Sequence, residues 1–367
     1  MPTTSLPDFP WDRLTPYAAA ARAYPDGLID LSIGTPIDPT PEVVRQALAL
    51  ASDAPGYPAT IGSEGVRRAA AGWLHRRFGV TVDALTQVIP TVGSKELVTL
   101  LPTLLGCVGP VLFPELAYPS YDVGARIAGC TPVPVPTVDG LIDVSVLDRV
   151  GADASLLWVN YPANPHGRIA PPDHLGAIAE WARRRGVLVV SDECYLEFGY
   201  TESATSMLAH GADGVLTVHS LSKRSNMAGY RAGFVAGDVS VVRRLLEVRK
   251  HAGLIVPAPV QAAMVAALDD DAHVADQKRV YGERRELLMA ALGSAGWRVE
   301  HSQGGLYLWA AHPLHDCWSS VDRLSKIGIL VAPGEFYGAA GHTHVRVALT
   351  SPTDLIRQAA RRLETLS

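Results

Sequence analysis

The sequence contains neither a Gly-x-Gly-x-x-Gly run nor a Gly-x4-Gly-Lys-Ser/Thr loop, so the two best-known nucleotide-binding folds have no support. Its four cysteines, Cys107, Cys130, Cys194 and Cys317, include no Cys-x-x-Cys pair. That argues against a zinc ribbon and a disulfide framework, and it fits a reducing cytoplasm. The twelve histidines, His219, His342 and His344 among them, form no His-Glu-x-x-His motif, so no metal site is expected. There is no basic run: 32 Lys and Arg stand against 37 Asp and Glu, a net charge of -5, and a nucleic-acid partner is not expected. The longest uncharged run, residues 97–114, is broken by Pro102, Gly106, Gly109, Pro110 and Pro114. It reads as a buried helix, a turn and a strand rather than a membrane span. The opening MPTTSLPDFPWDRL has neither a basic nor an apolar signal region, so no secretory leader is expected.

What is present is a hydrophobic content of 48% in 367 residues, enough for one large core or two smaller ones. Residues 1–36 are rich in proline and end in LIDLSIGTP, a short apolar strand and a glycine turn. Thr40 is expected to cap a helix that begins at Pro41 and Glu42, and residues 64–78 read as a second helix. QVIPTVGSKELVTLLPTLL reads as a strand, a Gly-Ser turn and a helix beginning near Ser94. Backbone N–H groups at such a start favour an anion, so Gly93, Ser94 and Lys95 form a candidate phosphate cradle.

From Gly109 onward the apolar runs VLF, TPVPVP, SLLWVN, VLVVSDE and GVLTVHS alternate with helical stretches near residues 121–128 and 174–185. That pattern predicts an α/β fold whose mostly parallel sheet is sandwiched by helices. After Pro257 come a long, interrupted helical stretch, the strands GLYLWA, GILVAP and HVRVALT, and a last helix expected to be capped by Ser351. The expected organisation is an arm over residues 1–39 that belongs in part to a small domain, a large domain over 40–254, and a small α+β domain over 255–367.

Ligands of a parallel sheet sit beyond the carboxyl ends of its strands. The polar residues at those ends are Tyr118, Asn160 and Asn164, Asp192, and Ser220 with Lys223. The last two lie in the crowded stretch 218–231, VHSLSKRSNMAGYR, which adds Ser222 and Arg231. Pyridoxal phosphate chemistry calls for this set. Lys223 would condense with the cofactor aldehyde, and Asp192 would keep the pyridine nitrogen protonated. Tyr195 and Asn164 would bond the ring oxygen, and Tyr118 would stack on the ring. Arg231, Ser220 and the turn at Gly93, Ser94 and Lys95 would hold the phosphate. Either Tyr118 or its neighbour Tyr121 also suits simple packing. Ser222 suits a cofactor contact or a turn, Asn160 a structural role and Cys194 a filler role.

The segments YPANPHG (161–167), SDECY (191–195) and SLSK (220–223) through GYRAG (229–233) resemble the signatures of class I/II aminotransferases of fold type I, from Gly34 in SIGTP to Arg346 in HVRVALT. The resemblance implies the cofactor roles just named, with Lys223, Asp192 and Tyr195 catalytic. It further implies Gly34, Asn164 and Arg346 at the substrate, with Arg346 gripping its α-carboxylate, in a homodimer in which Tyr57 reaches the neighbour's phosphate. His166 stands where the family usually has threonine. GSKE (93–96) and SLSKRSNMAGYRAGF are similar to succinyldiaminopimelate aminotransferases of bacterial lysine biosynthesis. This implies transfer from glutamate to N-succinyl-2-amino-6-oxopimelate. Arg13, Arg22 and Arg224 are available cations for the far end of such a substrate. A pyridoxal-dependent C–S lyase shares these residues and is the main alternative. Ser220-x-x-Lys223 also fits an acyl-enzyme motif, but no Lys-Thr-Gly follows it.

Overall fold

The computed structural model describes residues 6–151 and 153–366, so the first five residues of the arm lie outside the described residues. Seven strands build the large sheet: β1 (Val88–Val92), β2 (Pro110–Pro114), β3 (Thr131–Val135), β4 (Leu156–Val159), β5 (Leu188–Asp192), β6 (Val215–Ser220) and β7 (Ala232–Gly237). Their order is β1-β7-β6-β5-β4-β2-β3. Pairing from β6 through β3 is parallel, whereas β7 runs antiparallel to both β6 and β1. Strand β7, AGFVAG, is the one member of this sheet that the apolar pattern does not announce.

The continuous apolar runs arise because both faces are covered. Leu157, Val159, Val189 and Val215 enter one core, while Leu156, Trp158, Val190 and Leu216 enter the other. This is the alternation that a strand imposes. The expected helix at 64–78 is present as Glu64–Phe78, with the Ser63 hydroxyl accepting from Val66 N. The helix Gly93–Leu104 also begins where the Gly-Ser turn places it.

A separate antiparallel sheet is formed by β8 (Arg298–Glu300), β9 (Tyr307–Ala311), β10 (Ala332–Pro333) and β11 (His344–Ala348), in the order β8-β9-β11-β10. Its core takes in Leu14, Ala18, Ile29 and Leu31 from the arm, and Ile29–Asp30 pairs in parallel with Ile329–Leu330. Between the two sheets the packing changes hands later than residue 254. The helix Ala258–Asp269 gives Ala263, Met264, Ala267 and Leu268 to the large sheet's core, whereas Ala272–Ser294 gives Tyr281, Leu288 and Leu292 to the small one. The core that is packed on thus changes between these two helices. Pro257 is the N-cap residue of the helix Ala258–Asp269.

Two expected caps are absent. Thr40 Oγ1 donates to Asn226 O at 2.9 Å and Ser351 Oγ to Asp30 O at 2.8 Å. In each case a proline, Pro41 or Pro352, occupies the cap position one residue later. No described helix is long and apolar enough to cross a membrane.

Candidate active site

The carboxyl ends of β2, β4, β5 and β6 open into a cavity of about 650 Å³, within the size range of small-molecule sites. Gly34, Ser94, Lys95, Tyr118, Asn160, Asn164, Asp192, Tyr195, Ser220, Ser222, Lys223, Arg231 and Arg346 all line it. Gly93 and Tyr57 do not line it: Gly93 lies against the Arg231 guanidinium, and Tyr57 is fully exposed.

Lys223 sits on the short helix Leu221–Arg224, which follows β6. The Ser220 hydroxyl accepts from Ser222 N at 3.2 Å and turns the chain there. Lys223 Nζ donates to Gly34 O at 2.6 Å and has no carboxylate partner among the described residues. The next residue anchors the turn: Arg224 Nε donates to the buried Glu197 at 2.5 Å, and its NH1 donates to Ala267 O at 2.7 Å. Arg224 is thus committed to the interior and does not reach the cavity.

Asp192 ends β5 and is buried. Burial pushes its carboxyl up from the ordinary range, against bonds from Cys194 and Tyr121 and the charge of Lys223. Tyr121, fully buried and stacked on Trp158 at 4.9 Å, donates its hydroxyl to Asp192 Oδ2 at 2.9 Å. Of the two neighbouring tyrosines, Tyr121 braces Asp192 and Tyr118 lines the cavity. Asn160 ties two site residues together, since its amide donates to Asp192 O at 2.7 Å and its oxygen accepts from Asn164 N at 2.7 Å.

Arg231 has a left-handed φ of 56° and packs over Gly93. A Cβ at Gly93 would lie 2.4 Å from the Arg231 guanidinium, and Gly93 itself has φ 72°, a left-handed conformation that favours glycine at this helix start. Arg346 is only 3% exposed. Its NH1 donates to Asn164 Oδ1 at 3.0 Å and its NH2 to Ser32 O at 2.8 Å. The guanidinium carbon lies 3.9 Å over the Tyr307 ring and 4.8 Å over Tyr337. Its Nε has no partner, and among the described residues no carboxylate pairs with it.

Sequence reasoning missed Tyr307, whose hydroxyl lies 3.2 Å from that of Tyr195. Burial raises the Tyr195 phenol. It also pushes up on Tyr307, but the charges of Arg346 and Lys223 outweigh it and hold that phenol below its ordinary value. Either hydroxyl can donate in their bond. Phe9, Trp11, Ile33 and Cys194 also line the cavity without having been assigned to it. Cys194 is half-buried at the wall rather than a core filler, and burial pushes its thiol well up. No local signal marks Tyr307, because it meets Tyr195 only through the docking of the small sheet on the large one.

A family model, aminotransferase class I and II, matches residues 26–363. The chain is 52% identical over 366 residues to the 4-dedimethylamino-4-oxo-anhydrotetracycline transaminase OxyQ of Streptomyces rimosus, covering 98% of this chain and 99% of that one. It is 34% identical over 373 residues to the LL-diaminopimelate aminotransferase of Desulforudis audaxviator, covering 98% and 95%. Among solved structures, an aminotransferase from Staphylococcus aureus superposes with a TM-score of 0.92 at 28% identity, covering 100% and 99%. A probable N-succinyldiaminopimelate aminotransferase from Thermus thermophilus gives 0.90 at 33%, covering 98% and 100%. With the strand-end cavity, these likenesses establish that the chain belongs to the class I and II aminotransferases and is a pyridoxal phosphate-dependent transaminase.

Proposed function

We propose that the cavity holds pyridoxal phosphate on Lys223 and that the enzyme moves the amino group of glutamate to N-succinyl-2-amino-6-oxopimelate, returning 2-oxoglutarate. The observation that carries the amino-acid part of this reading is Arg346, a buried guanidinium with no carboxylate partner among the described residues. A buried charge left unpaired is costly. Of its five N–H donors, two are engaged by Asn164 and Ser32, so the remainder suit a substrate α-carboxylate.

The residues fit the cofactor. Asp192 is a carboxylate whose pKa burial raises despite the charge of Lys223, and a protonated pyridine nitrogen would favour its charged form. Arg231 over Gly93, with Ser94, Lys95, Ser220 and Ser222 nearby, suits a phosphate through charge-assisted bonds. Asn164 spends its oxygen on Arg346, which leaves its amide N–H groups for the ring oxygen beside the Tyr195 hydroxyl. Tyr118 is placed to stack. When bound, the cofactor supplies an electron sink for the bond broken at the substrate α-carbon. The chain supplies the rest: Arg346 orients the carboxylate, Lys223 Nζ takes and returns the α-proton, and Gly34 O steers that amine.

The lysine-biosynthetic acceptor is supported by the motifs at residues 93–96 and 220–234, by the Thermus structural neighbour and by the diaminopimelate relative. A second reading, a ring-bearing ketone acceptor, is favoured by the 52% likeness to OxyQ. The test is a panel of acceptors with glutamate as donor. N-succinyl-2-amino-6-oxopimelate is expected to give a kcat/KM at least about tenfold above pyruvate and above a polycyclic ketone. A higher value for the polycyclic ketone replaces the first reading with the second. Pyruvate and ammonia released from a sulfur amino acid would instead identify a lyase.

We further propose a homodimer in which Tyr57 bonds the phosphate of the neighbouring subunit. Its full exposure and its absence from the lining of its own cavity support this reading. Sedimentation should give a dimer, and Tyr57→Phe should weaken cofactor retention about 10- to 150-fold, the loss of one hydrogen bond to a charged group. A monomer with full activity would sink the idea.

A further inference from the structure

We propose that Trp11 and Phe9, on the N-terminal arm, are specificity-determining residues that pack the aliphatic or ring portion of the amino acceptor between its reacting carbonyl and its far end. This rests on the reading above, in which Arg346 takes the carboxylate beside that carbonyl. From the guanidinium a run of rings leads outward. Its carbon lies 4.8 Å over Tyr337, Tyr337 meets Trp11 edge-on at 6.5 Å, and Trp11 meets Phe9 at 5.6 Å. Trp11 and Phe9 both line the cavity. Trp11 is backed by Phe336 at 5.2 Å, and Phe336 by Trp318 at 5.8 Å, so the indole is a packed surface rather than a loose cover.

Phe9 is 58% exposed and Ile33, on the same cavity, 50%. A methylene chain or ring lying against them would remove that apolar surface from water. The arginines that the sequence offered for the far end are engaged elsewhere or absent from the wall. Arg13 lies 4.4 Å over Trp318 and 3.7 Å from Glu335, Arg224 is buried against Glu197, and Arg22 is not on the cavity. Among the described residues, the cavity's cations are Lys95, Lys223, Arg231 and Arg346. These belong to the helix start, the lysine turn and the carboxylate clamp. The chemical class that fits the arm is a 2-oxo acid with a long aliphatic or fused-ring segment before its distal polar groups.

The test compares the wild-type holoenzyme with Trp11→Ala and Phe9→Ser. It measures kcat/KM for 2-oxoglutarate, 2-oxopimelate and N-succinyl-2-amino-6-oxopimelate in the acceptor half-reaction, followed by cofactor absorbance. A methylene in an apolar pocket changes kcat/KM by about 10-fold or more. The ratio of the long acceptors to 2-oxoglutarate is therefore expected to fall about 10- to 100-fold in Trp11→Ala, and about 3- to 10-fold in the exposed-site variant Phe9→Ser. Both effects should appear mainly in KM. Unchanged ratios in both variants overturn the proposal, as does an equal loss on short and long acceptors. If the wild type rejects the N-succinyl compound yet prefers 2-oxopimelate to 2-oxoglutarate, and the variants lose that preference, the named acceptor fails and the aromatic wall stands. A wild type with no preference for length overturns the wall.

Discussion

Lys223→Ala is expected to lower kcat at least about 10⁴-fold, because it removes both the covalent attachment and the proton carrier at one stroke. Among the described residues, no other amine is placed to take over. The remaining lysine on the cavity, Lys95, stands on the helix Gly93–Leu104, whereas Lys223 Nζ is held 2.6 Å from Gly34 O. Gly34 is itself fixed by close approach, since a Cβ there would lie 2.0 Å from the Tyr307 hydroxyl. Lys223→Arg keeps the charge and should be as inactive, which separates an amine nucleophile from a mere cation. Borohydride reduction of the wild-type holoenzyme should fix the cofactor to the peptide containing Lys223. Label on another lysine, or more than about 1% of wild-type kcat in the alanine variant, would refute the assignment.

Arg346→Lys is expected to cost about 10²- to 10⁴-fold in kcat/KM for amino-acid substrates, most of it in KM. A lysine is a point charge and lacks the fork that gives two parallel bonds to a carboxylate. Two charge-assisted bonds at about 1.5–3 kcal/mol each set that range. The substitution also removes the bonds to Asn164 Oδ1 and Ser32 O and the stacking over Tyr307 and Tyr337. Thermal melting must therefore accompany the kinetics. The discriminating measurement is a donor amine without a carboxylate: its low wild-type kcat/KM should change far less than that of glutamate. An equal loss for both donors would reduce Arg346 to a structural brace, and an unchanged KM for glutamate would remove it from the substrate site.

Much of the site is legible in short-range pattern. A run of buried apolar residues ending in a polar one marks a strand end in a parallel sheet, and SLLWVN, VLVVSDE and GVLTVHS each follow it. Asn160, Asp192 and Ser220 are therefore expected as neighbours from the sequence. The Gly-Ser turn before a helical run places Gly93, Ser94 and Lys95 in the same way, and all of these save the recessed Gly93 line the cavity. Errors arise where a side chain chooses a distant partner over a near one. Thr40 and Ser351 suit local caps by type, but each hydroxyl bonds a carbonyl more than a hundred residues away. Arg224 is an available cation by sequence and a buried anchor in the fold.

What the sequence determined by itself is the α/β sheet, the strand-end residues and the reactive stretch around Lys223, because hydrophobic periodicity and turn chemistry act over a few residues. What only the tertiary structure decided is everything that joins the arm, the large sheet and the small sheet. The insertion of β7 antiparallel between β1 and β6, the pairing of Tyr195 with Tyr307 and the capture of Arg346 by Asn164 belong here. So does the placement of Trp11 at the cavity wall. Such contacts link residues more than a hundred positions apart, or strands whose neighbours are not their sequence neighbours. Their partners are selected by the packing of whole cores against one another, a quantity that no local window of the chain contains.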